Sequence, residues 1–385
     1  MKMEAYEVEF LSKASQIPAD LWDTCFQPPV EGRWWYEALE QSGIEDQFTL
    51  YYGLIKHLGR PVGLAPVFVM DIPVEQVAPQ EFLRLLRLIG KIVPSILYQR
   101  TLFVGSPILD ESRVRLISGV NRRAALLALQ IALEAKAAEI RASLIVWKDF
   151  PESSSAEMNW LSQQRRLFRV ISLPNTIVEL PSRRKEDYFA ALKGTRRQNL
   201  KRKLKRSREK VTLSGEIVQR PDAKTLDAIF HLFWQTYEKS TSKFERLTRK
   251  FFEAFAEKQA TLFVILREDV TGEIVAFCLC FDMGDRLISM FIGIDYSRPK
   301  QWMLFFRLWE ATLDVALARG FPAIVNGRSS YEVKIETGHK LVRLNNYCRH
   351  RNVLFNIIYG IVAQRVDWAS LDGDLARFLK ADPGG

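Results

Sequence analysis

Cysteine is scarce in this chain. Four residues (Cys25, Cys278, Cys280 and Cys348) are scattered through 385. They are too few for a disulfide framework and point to a reducing compartment. Histidine is equally thin, with His57, His231, His339 and His350 dispersed. No second Cys pair or His cluster completes a zinc site around Cys278-x-Cys280, so no metal is expected, and the two cysteines read as buried thiols on one strand face. His339 reads as an ordinary surface histidine close to a candidate site. Phosphate-binding glycine loops, a Rossmann fingerprint and a Gly-x-Ser-x-Gly elbow are all missing, and "GSPIL" (105–109) does not make an elbow. Long apolar runs are missing too. The most apolar stretch, "NVLFNIIYGIVA" (352–363), holds two asparagines and is too short to span a bilayer. The start, "MKMEAYEVEF", has no apolar h-region. These absences imply a cytoplasmic protein and leave open a peripheral contact with the inner membrane face.

An excess of positive charge is missing from everywhere but one place. The chain has 55 Lys+Arg and 45 Asp+Glu, of which ten basic residues and one acid fall between Lys193 and Lys210. The remainder holds 45 basic residues against 44 acids (55 − 10 and 45 − 1). The segment "TRRQNLKRKLKRSREK" (195–210) therefore carries nearly all of the excess. Leu192, Leu200 and Leu204 fall on one side of a helix, and the cations cover the rest. Aromatic interleaving and a helix-turn-helix pattern are lacking, which excludes sequence-specific DNA reading. A solvated face, a phosphate-rich ligand such as coenzyme A or tRNA, and an anionic membrane all stay open.

What is present is abundant apolar material, 48% hydrophobic and 11% aromatic, enough for two cores. It is also duplicated. "GRPVGLAPVFVM" (59–70) aligns without a gap to "GEIVAFCLCFDM" (272–283), placing Gly59 over Gly272. Ahead of these, "YEALEQSG" (36–43) faces "FFEAFAEK" (251–258), and "FTLYYGLI" (48–55) faces "ATLFVILR" (260–267). Each copy reads as helix, strand, glycine turn, strand, then a further strand, a long helix and another strand. In the second copy Gly320 is placed to cap the long helix over 302–320. The first copy has an additional predicted helix, "PQEFLRLLRLIGKI" (79–92). The expectation is an α/β fold with mixed sheets and two similar tandem domains, 1–172 and 173–385, joined around residues 170–195.

Residues 175–345 resemble the FemAB-like, or BioF2-like, branch of the GNAT acyltransferases. The resemblance rests on the basic segment, the hairpin "ATLFVILREDVTGEIVAFCLCF", "FIGIDYSRP", and Gly327-Arg328 followed by Tyr331, Lys334 and Gly338. The first half resembles, more weakly, the degenerate domain that such proteins place upstream. The resemblance implies an N-acyltransferase, with acyl-CoA as co-substrate and no tightly bound cofactor. The acceptor would be an amine on a small molecule or a cell-envelope precursor. Direct attack needs only a neutral amine, a close carbonyl and a stabilised oxyanion. The candidate catalytic residues are Asp295, Asn326, Tyr331 and Lys334, with Tyr296 nearby. The candidate donor-binding residues are Arg298, Lys300, Gly327, Arg328, Arg196 and Arg197. Two departures stand out. The loop Arg298-Pro299-Lys300-Gln301-Trp302-Met303 has larger residues where the family has phosphate-loop glycines. The segment 195–260 also leaves no room for the long helical arm of the tRNA-dependent ligases. Two alternatives stay open: an aminoacyl-tRNA-dependent transferase, and a non-catalytic nucleic-acid or membrane module on a decayed fold.

Overall fold

Alternating apolar segments pair into two mixed sheets in the computed structural model, which describes residues 6–73, 98–240 and 245–381. The helix expected over 79–92 lies outside the described residues. The first sheet contains β1 (Tyr6–Leu11), β2 (Thr49–His57), β3 (Arg60–Pro73), β4 (Tyr98–Val104), β6 (Leu144–Pro151), β7 (Phe168–Ile171) and β15 (Leu344–His350). Their order is β1-β2-β3-β4-β6-β15-β7, with the short β5 (Arg115–Leu116) paired to β3. The second sheet contains β8 (Asn175–Glu179), β9 (Leu213–Val218), β10 (Thr261–Glu268), β11 (Ile274–Asp282), β12 (Leu287–Ile294), β13 (Ala323–Asn326) and β14 (Lys340–Val342). Their order, read from the other edge, is β9-β10-β11-β12-β13-β8-β14.

The two sheets repeat one pattern. In each, the only parallel pair among the described residues sits between the fourth and fifth strands, β4 with β6 and β12 with β13. The hairpins β2–β3 and β10–β11 turn at Gly59 and Gly272, whose φ values of 75° and 70° favour glycine. Both fall where the gap-free alignment puts them.

The units are not continuous in sequence. One comprises 1–27, 45–174 and 343–385, and the other 28–44 and 175–342. A cut between 172 and 173 therefore misses an exchange. β15, from the second half of the sequence, enters the sheet of the first and pairs with β6 and β7, whereas β8 stays with its own half and pairs with β13 and β14. Residues 28–44 follow the same logic. They carry α1 (Arg33–Glu40), whose Trp35 is fully buried with its ring 4.9 Å from Phe255 and 4.8 Å from Phe281.

Eight further helices matter below: α2 (Arg122–Glu139), α3 (Lys185–Ala191), α4 (Gly194–Arg208), α5 (Ala223–Lys239), α6 (Arg249–Ala256), α7 (Leu304–Arg319), α8 (Tyr331–Glu336) and α9 (Val353–Ala363). In the second unit the sheet is covered on both faces. Leu304, Leu308, Trp309, Leu313 and Ala316 of α7 pack with Ala276, Cys278 and Cys280 of β11. The alternate β11 residues belong to an aromatic cluster on the other side, where Phe277 meets Phe252 and Phe281 meets Phe255. Gly320 ends α7 in the left-handed conformation, as its position suggests. Trp302 lies in the short turn Lys300–Trp302 before α7 rather than in the helix. The basic segment is likewise interrupted. Leu192 closes α3, and α4 starts at Gly194, so Leu192 packs from a turn and only Leu200, Leu204 and Ser207 form the buried side of α4.

Candidate functional site

β12 and β13 run in parallel for only three pairs, Leu287–Ile324, Ile288–Val325 and Ser289–Asn326. Then β13 ends, while β12 bulges at Met290 and continues to Ile294. The two strands part at Ser289 and Asn326, leaving a fork, and polar side chains collect there. The Asn326 amide Nδ2 donates to Ser289 Oγ at 2.9 Å, and His339 Nε2 lies 2.8 Å from Asn326 Oδ1. On its other side His339 Nδ1 lies 3.0 Å from Thr337 Oγ1 and 2.8 Å from the Lys334 carbonyl. Cys278 Sγ approaches Ser289 Oγ at 3.1 Å and Cys280 Sγ at 3.4 Å. Thr176 Oγ1 donates to the Asn326 carbonyl at 3.0 Å, tying the end of β13 to β8.

Every member of this chain is buried, which fixes its protonation. Burial, helped by the Lys334 charge, pushes the His339 imidazole down to about 3, so the ring is neutral. The hydrogen bond with Cys278, and then burial, push the Cys280 thiol well above its ordinary value. Lys334 donates from Nζ to the Gly327 carbonyl, and Tyr331, fully buried, opens the helix that carries Lys334. Behind the fork the His339 ring packs 4.7 Å from Trp309, whose indole donates to Tyr188 Oη at 3.0 Å. Tyr188 in turn donates to the Thr337 carbonyl at 2.7 Å. Chemically, the fork offers a neutral amide, a hydroxyl, a neutral imidazole and one ammonium.

The expected residues separate into groups. Asn326, Gly327, Tyr331 and Lys334 come together at the fork, and Arg328 is half-buried in the turn between them. Asp295 does not join them. It stands one residue past the end of β12 and six beyond Ser289, about 20 Å away along an extended chain. It accepts from Ser297 Oγ at 2.6 Å and pairs with Arg298 at 2.9 Å. Burial alone would raise the Asp295 carboxyl, but these bonds outweigh it and hold it below the usual range. Arg298 also pairs with Glu268 at 3.1 Å and with Glu273. Three carboxylates thus occupy its guanidinium. Tyr296 is exposed beneath the Lys239 ammonium, 3.9 Å from the ring centroid.

The loop before α7 keeps one trait of an anion loop without its glycines. Lys300 is exposed there, and Met303 takes φ 50° just ahead of the helix. Against this loop lies the end of α4, where Ser207 Oγ donates to the Trp302 carbonyl at 2.7 Å. One turn earlier Lys203 pairs with Glu336 of α8 at 2.6 Å and sits 4.1 Å from the Phe306 ring of α7. The basic helix therefore spans from the helix at the fork to the N-terminus of α7. Arg196 and Arg197, on its first turn, are half-buried. Ser289, Thr337 and the role of His339 escape a reading of the sequence. The one clue is a serine inside the otherwise apolar "LISMFIGI". The surface position expected for His339 is corrected: it is buried, with its ring bonded to Asn326 and packed at a tilt against Trp309.

Comparison with known proteins follows this geometry. Residues 194–334 match the family described as acetyltransferase (GNAT) domain. That stretch holds the basic helix, the loop before α7 and the fork as far as Lys334, while Thr337 and His339 lie just beyond it. FemX is similar in structure across 91% of this chain and 100% of its own, with a TM-score of 0.57 at 10% identity. A tandem GNAT protein from the clavulanic acid biosynthesis pathway, solved without acetyl-CoA, is similar across 90% and 99%, with a TM-score of 0.51 at 10% identity. No curated protein matches the chain by sequence. Residues 194–334 thus match a GNAT domain, and the chain as a whole has the fold of FemX and of a tandem GNAT protein. Among the described residues no group of His, Cys, Asp and Glu is arranged to hold a metal, and no helix is long and apolar enough to cross a membrane.

Proposed function

We propose that the protein is an N-acyltransferase that takes its acyl group from a polyphosphate-bearing thioester, acyl-CoA, and passes it to an amine by direct attack at the fork between β12 and β13. One observation carries this reading: the parallel strands part at Ser289 and Asn326, under a basic helix that runs from the fork to the loop before α7. In this reading the donor's thioester arm enters the fork. Lys334 and the Asn326 amide favour the developing oxyanion, and Tyr331 supplies the proton to the leaving thiolate. Lys300, Arg328 and the cations of α4, Arg196 and Arg197 among them, meet the donor's phosphates in place of Arg298. Asp295 serves to hold Arg298. The acceptor is an amine on a small molecule or an envelope precursor.

The test is titration of the purified chain with coenzyme A, acetyl-CoA and longer acyl-CoA, with aminoacyl-tRNA as a parallel donor. Thiol release in the presence of an amine panel is then followed. Saturable binding of an acyl-CoA with amine-dependent thiol release supports the reading. Binding of aminoacyl-tRNA alone moves the donor to that class, and binding of neither overturns the proposal.

A further inference from the structure

The helix α9 is built inside out. Its inner side is small or polar: Asn356 Nδ2 donates to the Arg166 carbonyl at 3.0 Å, Tyr359 packs on Phe168 at 6.4 Å, and Ala363 is buried. Its outer side is apolar. Val353, Leu354, Phe355, Ile357 and Ile361 are 63%, 64%, 48%, 55% and 52% exposed. Single exposed aliphatics are ordinary, but five on one eleven-residue helix form a patch of the kind that marks an interaction surface. Asn352 caps the helix through the Leu354 and Phe355 amides, so its fold does not depend on a cover for that patch.

The charge around the patch selects the occupant. No Asp or Glu occurs from Leu344 to Val366, while Arg351 and Arg365 stand exposed at the two ends of the helix. An apolar face with a cation at each end matches the layering of a lipid surface with anionic headgroups. We infer that α9 docks the protein on an anionic membrane, lying in the interface plane with Leu354, Ile357 and Ile361 among the acyl chains. This site is separate from the basic helix α4 and does not depend on the donor chemistry.

The experiment is co-sedimentation of the full chain with vesicles of phosphatidylcholine alone or mixed with phosphatidylglycerol, alongside sizing of the protein without lipid. The triple variant Leu354→Ser/Ile357→Ser/Ile361→Ser should bind the mixed vesicles at least about tenfold more weakly, because three apolar chains no longer leave water. It should keep its melting temperature and elution volume, since these side chains touch little. Arg351→Gln/Arg365→Gln should weaken binding to the mixed vesicles and leave any binding to phosphatidylcholine unchanged. The inference is overturned if the unaltered chain ignores the mixed vesicles, or if the triple variant binds as well as it does. It is also overturned if only neutralising Arg196, Lys205 and Arg206 on α4 abolishes binding. A dimer that the triple variant converts to monomer would assign the face to a second copy instead.

Discussion

Asn326 is the hinge of the fork's chemistry, because its two amide atoms bridge Ser289 and His339 across three elements. Truncating it leaves two buried polar groups without their partner, which costs about 1–3 kcal/mol. Asn326→Ala is therefore expected to lower the denaturant midpoint by that amount and to cut amine-dependent thiol release at least tenfold, with donor affinity retained; unfolding curves and single-turnover rates check it. His339 gives a second, independent signature. Its ring titrates near 3 when folded, against 6.5 when unfolded. Between these values the unfolded state holds one more proton, so stability falls with falling pH, on the order of 1.4 kcal/mol per unit, and is unaffected above 6.5. Unfolding free energies measured at pH 7.5, 6 and 5 should show this slope, and His339→Gln should lack it. Asn326 and Lys334 were legible from sequence, since a polar residue ending an apolar strand and a lysine after a Gly-Arg stand out. His339 was not legible. A histidine's burial depends on residues such as Trp309 and Tyr188, which lie far off in sequence and give no local pattern.

At the scale of elements, α5 lies in close contact with β12 beyond the fork. A Cβ on Gly293 would lie 2.7 Å from backbone atoms of Leu232 and Phe233 and 2.3 Å from the Phe277 ring. Gly293→Ala must push helix and strand apart, costing roughly 1–3 kcal/mol as overpacking does. Denaturant unfolding should record that loss. The basic helix predicts the reverse balance. Among the described residues the side chains of Arg196, Lys205 and Arg206 make no hydrogen bond or ion pair, whereas Lys203 and Arg208 are held by Glu336 and Glu310. Neutralising the first three to Gln should change stability by no more than about 0.5 kcal/mol. It should raise the KM for acyl-CoA and flatten its salt dependence, because the attraction they supply is screened by salt. Initial rates at two ionic strengths separate this from a solvated face, which would leave both quantities alone. The helix itself was plain in the sequence. Its break at Leu192–Lys193 was not, because Leu192 keeps helical spacing with Leu200 while packing from a turn against Gly338.

At the scale of the whole molecule, duplication was readable and exchange was not. Long apolar segments such as "GEIVAFCLCFDM" announce themselves, and the equivalent hairpins fell into place. The strands that settle unit membership are short or polar. β15, which crosses the cut, has seven residues of mostly polar sequence, "LNNYCRH", and its neighbour β7 has four. A strand of that kind names no partner by its pattern, so a cut at the prolines near 172 looked natural. The exchange has a consequence for truncation. A fragment ending at residue 172 would lack β15, leaving β6 an open edge that carries the buried Trp147, and β7 without a neighbour. A fragment beginning at 173 would lack Trp35, and with it the cover over Phe255 and Phe281. Each such aromatic contributes about 0.5–1.5 kcal/mol per ring contact beyond its buried area, against a total stability of only some 5–15 kcal/mol for a domain. Neither fragment is expected to fold alone. Each should aggregate or show non-cooperative melting, and co-expression should recover a complex that melts in one transition. Amide exchange on the isolated fragments decides the matter: strongly protected amides in β6 of the first, or in β11 of the second, would show that the halves are independent and that the exchanged segments only decorate them.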